Sequence, residues 1–268
     1  MKTSQDDSIN KGLVLAAKYA LPPNTKGYCG GCEYTRKYAD FFNGKLQINE
    51  LETELKKFKA HYAYLKLTAR ENDLEPFDLD VVRAFWIGNE LLENVSYEAL
   101  QKFIKEELFL SQPQEKKRAE MLAYELPKGI VPHHSFNSLY INFVSEAVGR
   151  TIENYDACCI NIGRVKGQEE KTGKVRVTRT SIVESKDTKT EQKIRQKFEV
   201  KNIEDQVSLE KDGFEFIEKR FQQGDLVSIH WGMIIEKISE EDAKNITKYT
   251  EKNVEAIRRD REMKDKKY

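Results

Sequence analysis

Thiols and imidazoles are the side chains in this sequence best suited to chemistry, and all but one of them fall into three groups. Cys29 and Cys32 make a Cys-x-x-Cys in a glycine-rich turn, GYCGGC. His133 and His134 are adjacent in VPHHS. Cys158 and Cys159 are adjacent in DACCINIGRV, and His230 lies far downstream in GDLVSIHWG. Thiolates and neutral imidazoles ligate soft and borderline metals. A zinc site needs a second pair beside a Cys-x-x-Cys. Cys29, Cys32, His133 and His134 therefore form one candidate metal set. Adjacent residues splay apart on a helix or strand, so the two histidines share an ion only from an irregular loop, which Pro132 favours. The same Cys-x-x-Cys could be a redox pair, but no βαβ pattern surrounds it as thioredoxin-like chemistry requires. Cys158 and Cys159 are either ligands or small apolar fillers at a strand start. His230 is either a ligand or a hydrogen-bonded imidazole inside or beside a sheet.

Two kinds of periodicity must position these groups. From residue 8 to about 148 apolar residues recur at helical spacing. Ile9, Leu13, Ala16, Ala17 and Ala20 mark a first helix, which Pro22-Pro23 is expected to stop. Glu33 to Phe42 reads as a second. Asn49 and Glu52 form a capping box for a long third helix with Leu51, Leu55, Phe58, Tyr62 and Leu65 inward. Asp78 caps a helix carrying Val81, Val82, Phe85 and Trp86, and Gly88 suits its C-terminal stop. Ser96 opens the next, Glu115 to Tyr124 follows, and the last begins near Ser135 with Phe136, Leu139, Tyr140, Phe143 and Val144 buried.

After Gly149 the period becomes two. Cys158, Ile160 and Ile162 alternate with Cys159, Asn161 and Gly163, which points Cys158 inward and leaves Cys159 the wet, reactive thiol. Val175 and Val177, then Phe198 and Val200, continue the pattern around a charged excursion from Glu184 to Lys197. Val227, Ile229 and Trp231 share one strand face, opposite Leu226, Ser228 and His230. Ser239 with Asp242 caps a final helix bearing Ala243, Ile246, Val254 and Ile257, ahead of a frayed KDKKY tail. The fold class is α+β. An α-helical domain over residues 1–150 precedes a small β-barrel with a C-terminal helix over residues 151–268.

Composition narrows the function classes. Of 268 residues 34% are charged, and 45 Lys+Arg balance 45 Asp+Glu, so no global field attracts nucleic acid or an acidic membrane. The opening MKTSQDDSIN is too polar for a signal peptide. No apolar run approaches the roughly 20 residues that span a bilayer. Four cysteines are too few for a disulfide scaffold and suit a reducing, cytoplasmic setting. Phosphate-cradling glycine loops, HExxH and GxSxG are all missing, which argues against a nucleotide-dependent enzyme. No Cys-His-Asn assignment can be defended.

The pattern Cys158, apolar strand, Gly163-Arg164-Val165, then GDLVSIHWG and IIEKISEEDAKNITKY resembles hydrogenase maturation chaperones of the HypC/HupF type. That resemblance covers about Asp156 to Tyr249 and implies an OB-like barrel with a C-terminal helix. It aligns the family cysteine with Cys158 and the family histidine with His230. This implies an accessory role in nickel–iron hydrogenase cofactor assembly, with iron carrying carbon monoxide and cyanide as cargo. A maturation scaffold or apo-hydrogenase is the implied protein partner. Here the cysteine is internal, so no amino terminus joins the chelate, and Ile162 replaces the usual proline. The whole chain also resembles an uncharacterised bacterial and archaeal family through AAKYALPPNTKGYCG, AFWIGNELL and PHHSF. The rival expectations are a non-catalytic interaction protein with a reused barrel, and a zinc or thiol enzyme built on Cys29, Cys32, His133 and His134.

Overall fold

The structure, a computed structural model, describes residues 2–25, 32–110, 112–141, 149, 151–169, 174–184, 198–208 and 220–265. Its helical part is α1 (Lys2–Thr25), α2 (Cys32–Phe42), α3 (Ile48–Lys57), α4 (Lys59–Arg70), α5 (Leu79–Trp86), α6 (Tyr97–Phe103), α7 (Lys116–Tyr124) and the short turn α8 (His134–Phe136). The last runs on as a π-helical turn over Asn137–Ile141. Phe143 and Val144 lie outside the described residues. Then come α9 (Ile152–Cys158), strands β1 (Asn161–Gln168), β2 (Lys174–Glu184), β3 (Phe198–Ser208), β4 (Leu226–His230) and β5 (Met233–Lys237), and α10 (Glu240–Asp265).

Several caps sit where the residue types place them. Asp78 accepts from the Asp80 N–H at the start of α5, and Ser96 accepts from the Ala99 N–H at the start of α6. Ser239 and Asp242 cap α10 reciprocally. Gly88, at φ +93°, closes α5 by donating to the Arg83 carbonyl at 2.8 Å.

Three expectations need correcting. First, α1 passes through Pro22 and Pro23 and ends at Thr25. A proline lacks the N–H that the carbonyl four residues earlier would use. Here the carbonyl that Pro23 leaves bare, that of Tyr19, accepts a tertiary hydrogen bond from His230 instead. Second, the long helix is two helices, broken at Phe58 (φ −75°, ψ 75°), and its capping pair is Gln47 with Glu50. The break rotates α4 so that His61, Tyr64 and Leu65 are buried while Tyr62 is only half-buried. Third, the vicinal cysteines do not start a strand. The Thr151 hydroxyl accepts from the Asn154 N–H and opens α9, which ends at Cys158 with Cys159 as its extended C-cap. The apolar alternation there is too short to tell a buried helix end from a strand.

The strands form a five-stranded, largely antiparallel sheet. β1 pairs with β2 and β4, β2 with β3, and β4 with β5. β3 and β5 meet through one parallel pair, Ser208 with Met233, which gives the order β1-β2-β3-β5-β4. One apolar cluster lies inside the curl of the sheet, with Val165, Val177, Val227, Ile229 and Ile234 in it. The larger cluster joins Leu13, Tyr19, Trp86 and Phe136 of the helices to Cys159, Ile160, Met233 and Ile246. One core thus holds residues from both parts of the chain. No helix among the described residues is long and apolar enough to cross a membrane.

Candidate metal centre

All five residues of β4 are buried, so both of its faces are occupied. Val227 and Ile229 fill the inside of the curl. Ser228 and His230 face α1 instead, where the Tyr19 hydroxyl oxygen lies 2.8 Å from Ser228 Oγ. His230 Nδ1 lies 2.9 Å from the Tyr19 carbonyl oxygen. A carbonyl only accepts, so Nδ1 carries the proton and Nε2 the lone pair that a metal would use. The proline that was expected to end α1 thereby sets the tautomer of a histidine on the sheet.

The VPHHS loop is clamped from α10. Asn253 accepts from the Val131 N–H at 2.9 Å and donates to the Val131 carbonyl at 3.1 Å and to Ser135 Oγ at 2.9 Å. On this loop the two histidines part. His133 turns its Nδ1 to Ser135 Oγ at 2.9 Å and its ring toward Tyr249. His134 turns the other way, with its ring centroid 4.5 Å from that of Trp86 and 5.1 Å from that of His230. The loop becomes a helical turn at His134, and the two consecutive side chains on it diverge.

Cys158, at the end of α9, completes the cluster. The Ser138 hydroxyl lies 3.2 Å from its Sγ. Burial pushes this thiol up to about 11, against the pull of the Ser138 contact. Cys159 is not the wet thiol that strand parity suggested. It is fully buried, and burial, with Cys158 and Asp156 beside it, raises its thiol well above the ordinary range.

One ligand atom each from His134, Cys158 and His230 lie within 4.8 Å of one another, and all three residues are buried. Ligands about 2.0–2.3 Å from a tetrahedral ion stand roughly 3.5 Å apart, so the three need little adjustment to share one. The donor set is one soft thiolate and two imidazoles, which fits a borderline transition metal and not magnesium or calcium. Burial holds His134 well below its ordinary range, and the neighbouring imidazoles of His230, His133 and His61 press the same way, so it is neutral and able to ligate.

Of the residues singled out by type and spacing, then, Cys158, His230 and His134 come together, although the reading of the chain had placed His134 in a different set. His133 stands apart. Cys29 and the side chain of Cys32 lie outside what the structure describes. Four neighbours carried no signal as site residues. Tyr19 holds His230, Ser138 contacts the thiol, and Trp86 packs against both histidines of the cluster. His61, the fourth, touches Trp86 at 5.3 Å between centroids. A lone histidine among apolar residues looks like packing, and only its burial against Trp86, which also packs on two imidazoles, distinguishes it.

A family model described as "Family of unknown function (DUF6390)" matches residues 8–264. The chain belongs to this family. The match runs from α1 into α10 and so takes in all three cluster residues as well as Tyr19, His61 and Trp86. No curated protein and no solved structure matches the chain.

Proposed function

We propose that this protein is a metal-binding accessory protein of metallocofactor assembly, holding a soft or borderline divalent ion on His134, Cys158 and His230. The observation that carries the reading is the convergence of one thiol and two neutral imidazoles, from three separate segments, inside the protein. Cys158 and His230 are also the two positions that align with the cysteine and histidine of hydrogenase maturation chaperones. Their closeness in space is what that resemblance would require. On this reading the sheet with α10 is OB-like and the cargo is iron. The helical part supplies His134 and the Tyr19 carbonyl that orients His230. Handing the ion to a protein partner then needs one ligand-bearing segment to move, because all three ligands are buried. A second reading, a structural zinc, draws on the same burial and on the ion's tying loop, helix and strand together.

Protein purified anaerobically is expected to carry close to one metal ion per chain. Cys158→Ala, His134→Ala and His230→Ala should each weaken metal binding about tenfold or more, while Cys159→Ala leaves it unchanged. Infrared bands of carbon monoxide and cyanide on bound iron would support the assembly role. Zinc without such bands would support the structural reading. A metal-free protein, or a Cys158→Ala protein with full metal content, would overturn both.

A further inference from the structure

We propose that the ion's fourth position takes a small monoanion, gripped a second time by the Trp86 indole N–H and the His61 imidazole. This rests on the metal reading above and names the ligand class it would admit.

The first ground is a set of orphaned polar atoms. His61 and Trp86 are each 1% exposed, yet His61 Nδ1, His61 Nε2 and Trp86 Nε1 have no hydrogen-bond partner among the described residues. A buried polar group left unmade costs about 1–3 kcal/mol, so buried polar atoms as a rule have a partner. Three such atoms on two touching rings imply a polar guest.

Position is the second ground. The Trp86 ring lies 4.5 Å from His134, 5.5 Å from His230 and 5.3 Å from His61 between centroids. One indole thus borders both metal-ligating imidazoles and the orphaned one. His61 stands outside the three-residue ligand cluster, so it is placed to contact something bound to the ion and not the ion itself.

Charge is the third. A divalent ion with one thiolate and two neutral imidazoles carries a net positive charge in a site closed to water, which is costly unless balanced. The carboxylates on adjoining elements are committed elsewhere. Glu236 accepts from the Tyr19 hydroxyl and pairs with Lys18; Asp156 pairs with Arg179 and accepts the Ile182 N–H. A monoanion neutralises the centre and offers acceptor lone pairs to an indole that can only donate. Phe58 and Phe85 pack on the His61 ring, so a guest there can have only a few atoms.

Cobalt(II)-loaded protein titrated with azide tests this. The thiolate-to-cobalt charge-transfer band reports the metal, and the d–d bands report the fourth position. The wild-type protein is expected to show a saturable azide-dependent change in the d–d bands. His61→Phe and Trp86→Phe should keep the charge-transfer band and bind azide about tenfold or more weakly. Wild-type bands indifferent to azide, as when only water fills the position, would overturn the proposal. So would wild-type azide affinity in both variants. A missing charge-transfer band in the wild-type protein would remove the metal reading itself, and this proposal with it.

Discussion

Taking chelator-treated protein from pH 7 to pH 5 is expected to remove about 4 kcal/mol of folding stability through His61 and His133 alone. Burial lowers each of these imidazoles from 6.5 to about 3. In the unfolded chain each takes up a proton near its ordinary value, while in the folded chain it stays neutral until far lower pH. The unfolded state therefore binds more protons across this window, and stability rises with pH there. Integrated from pH 5 to pH 7, that is about 2 kcal/mol for each residue. His134, also lowered by burial, adds in the same direction. Glu236 opposes, because burial raises its carboxyl and a raised acid favours the folded state as pH falls. Urea unfolding at pH 7, 6 and 5 measures the effect. A His61→Phe protein should lose about half of the dependence assigned to the pair, since phenylalanine keeps the ring's volume and has nothing to titrate. A free energy of unfolding that stays flat from pH 7 to 5 would be inconsistent with neutral buried imidazoles.

What could be read from the chain divides along physical lines. Local hydrogen bonding is encoded locally, so Asp78, Ser96, Gly88 and the Ser239–Asp242 pair sit where their types put them. The strand Leu226–His230 follows from alternation and a preceding Gly-Asp turn, except that it stops before Trp231, whose φ of +53° belongs to the turn. Periodicity tells which face of an element is covered but not what covers it. Nothing in GDLVSIHWG says that the His230 face meets α1, because that depends on a carbonyl released by a proline more than two hundred residues earlier. Pro22-Pro23 read as a stop because the lost helical bonds were counted and the tertiary replacement could not be. His61 gives no signal in the sequence because the break at Phe58, which turns it inward, leaves no mark in the apolar stripe. Cys158 lies in a different element from the one its spacing suggests: its register against Gly163-Arg164-Val165 is the same whether the cysteine ends a helix or begins a strand.

Gly12→Ala isolates the seam that joins these parts. In the interior of α1, alanine should help by about 1 kcal/mol on helix propensity alone. A Cβ at this position would lie 2.0 Å from the Phe77 carbonyl oxygen and 3.0 Å from its carbon. Those atoms are backbone just ahead of α5, and no rotamer change can move them away. α1 must pull back from α5, and overpacking of this kind costs about 1–3 kcal/mol. We expect a net loss of about 2 kcal/mol in urea unfolding, opposite in sign to the propensity effect. The same shift should reach the proposed metal centre, although Gly12 is none of its three candidate ligands. Tyr19 of α1 stacks on Trp86 of α5 at 5.2 Å and holds His230 through its carbonyl. Moving α1 therefore loosens the histidine, and metal affinity in Gly12→Ala should fall together with stability. A Gly12→Ala protein as stable as the wild type, with the same metal affinity, would show that α1 does not position the site.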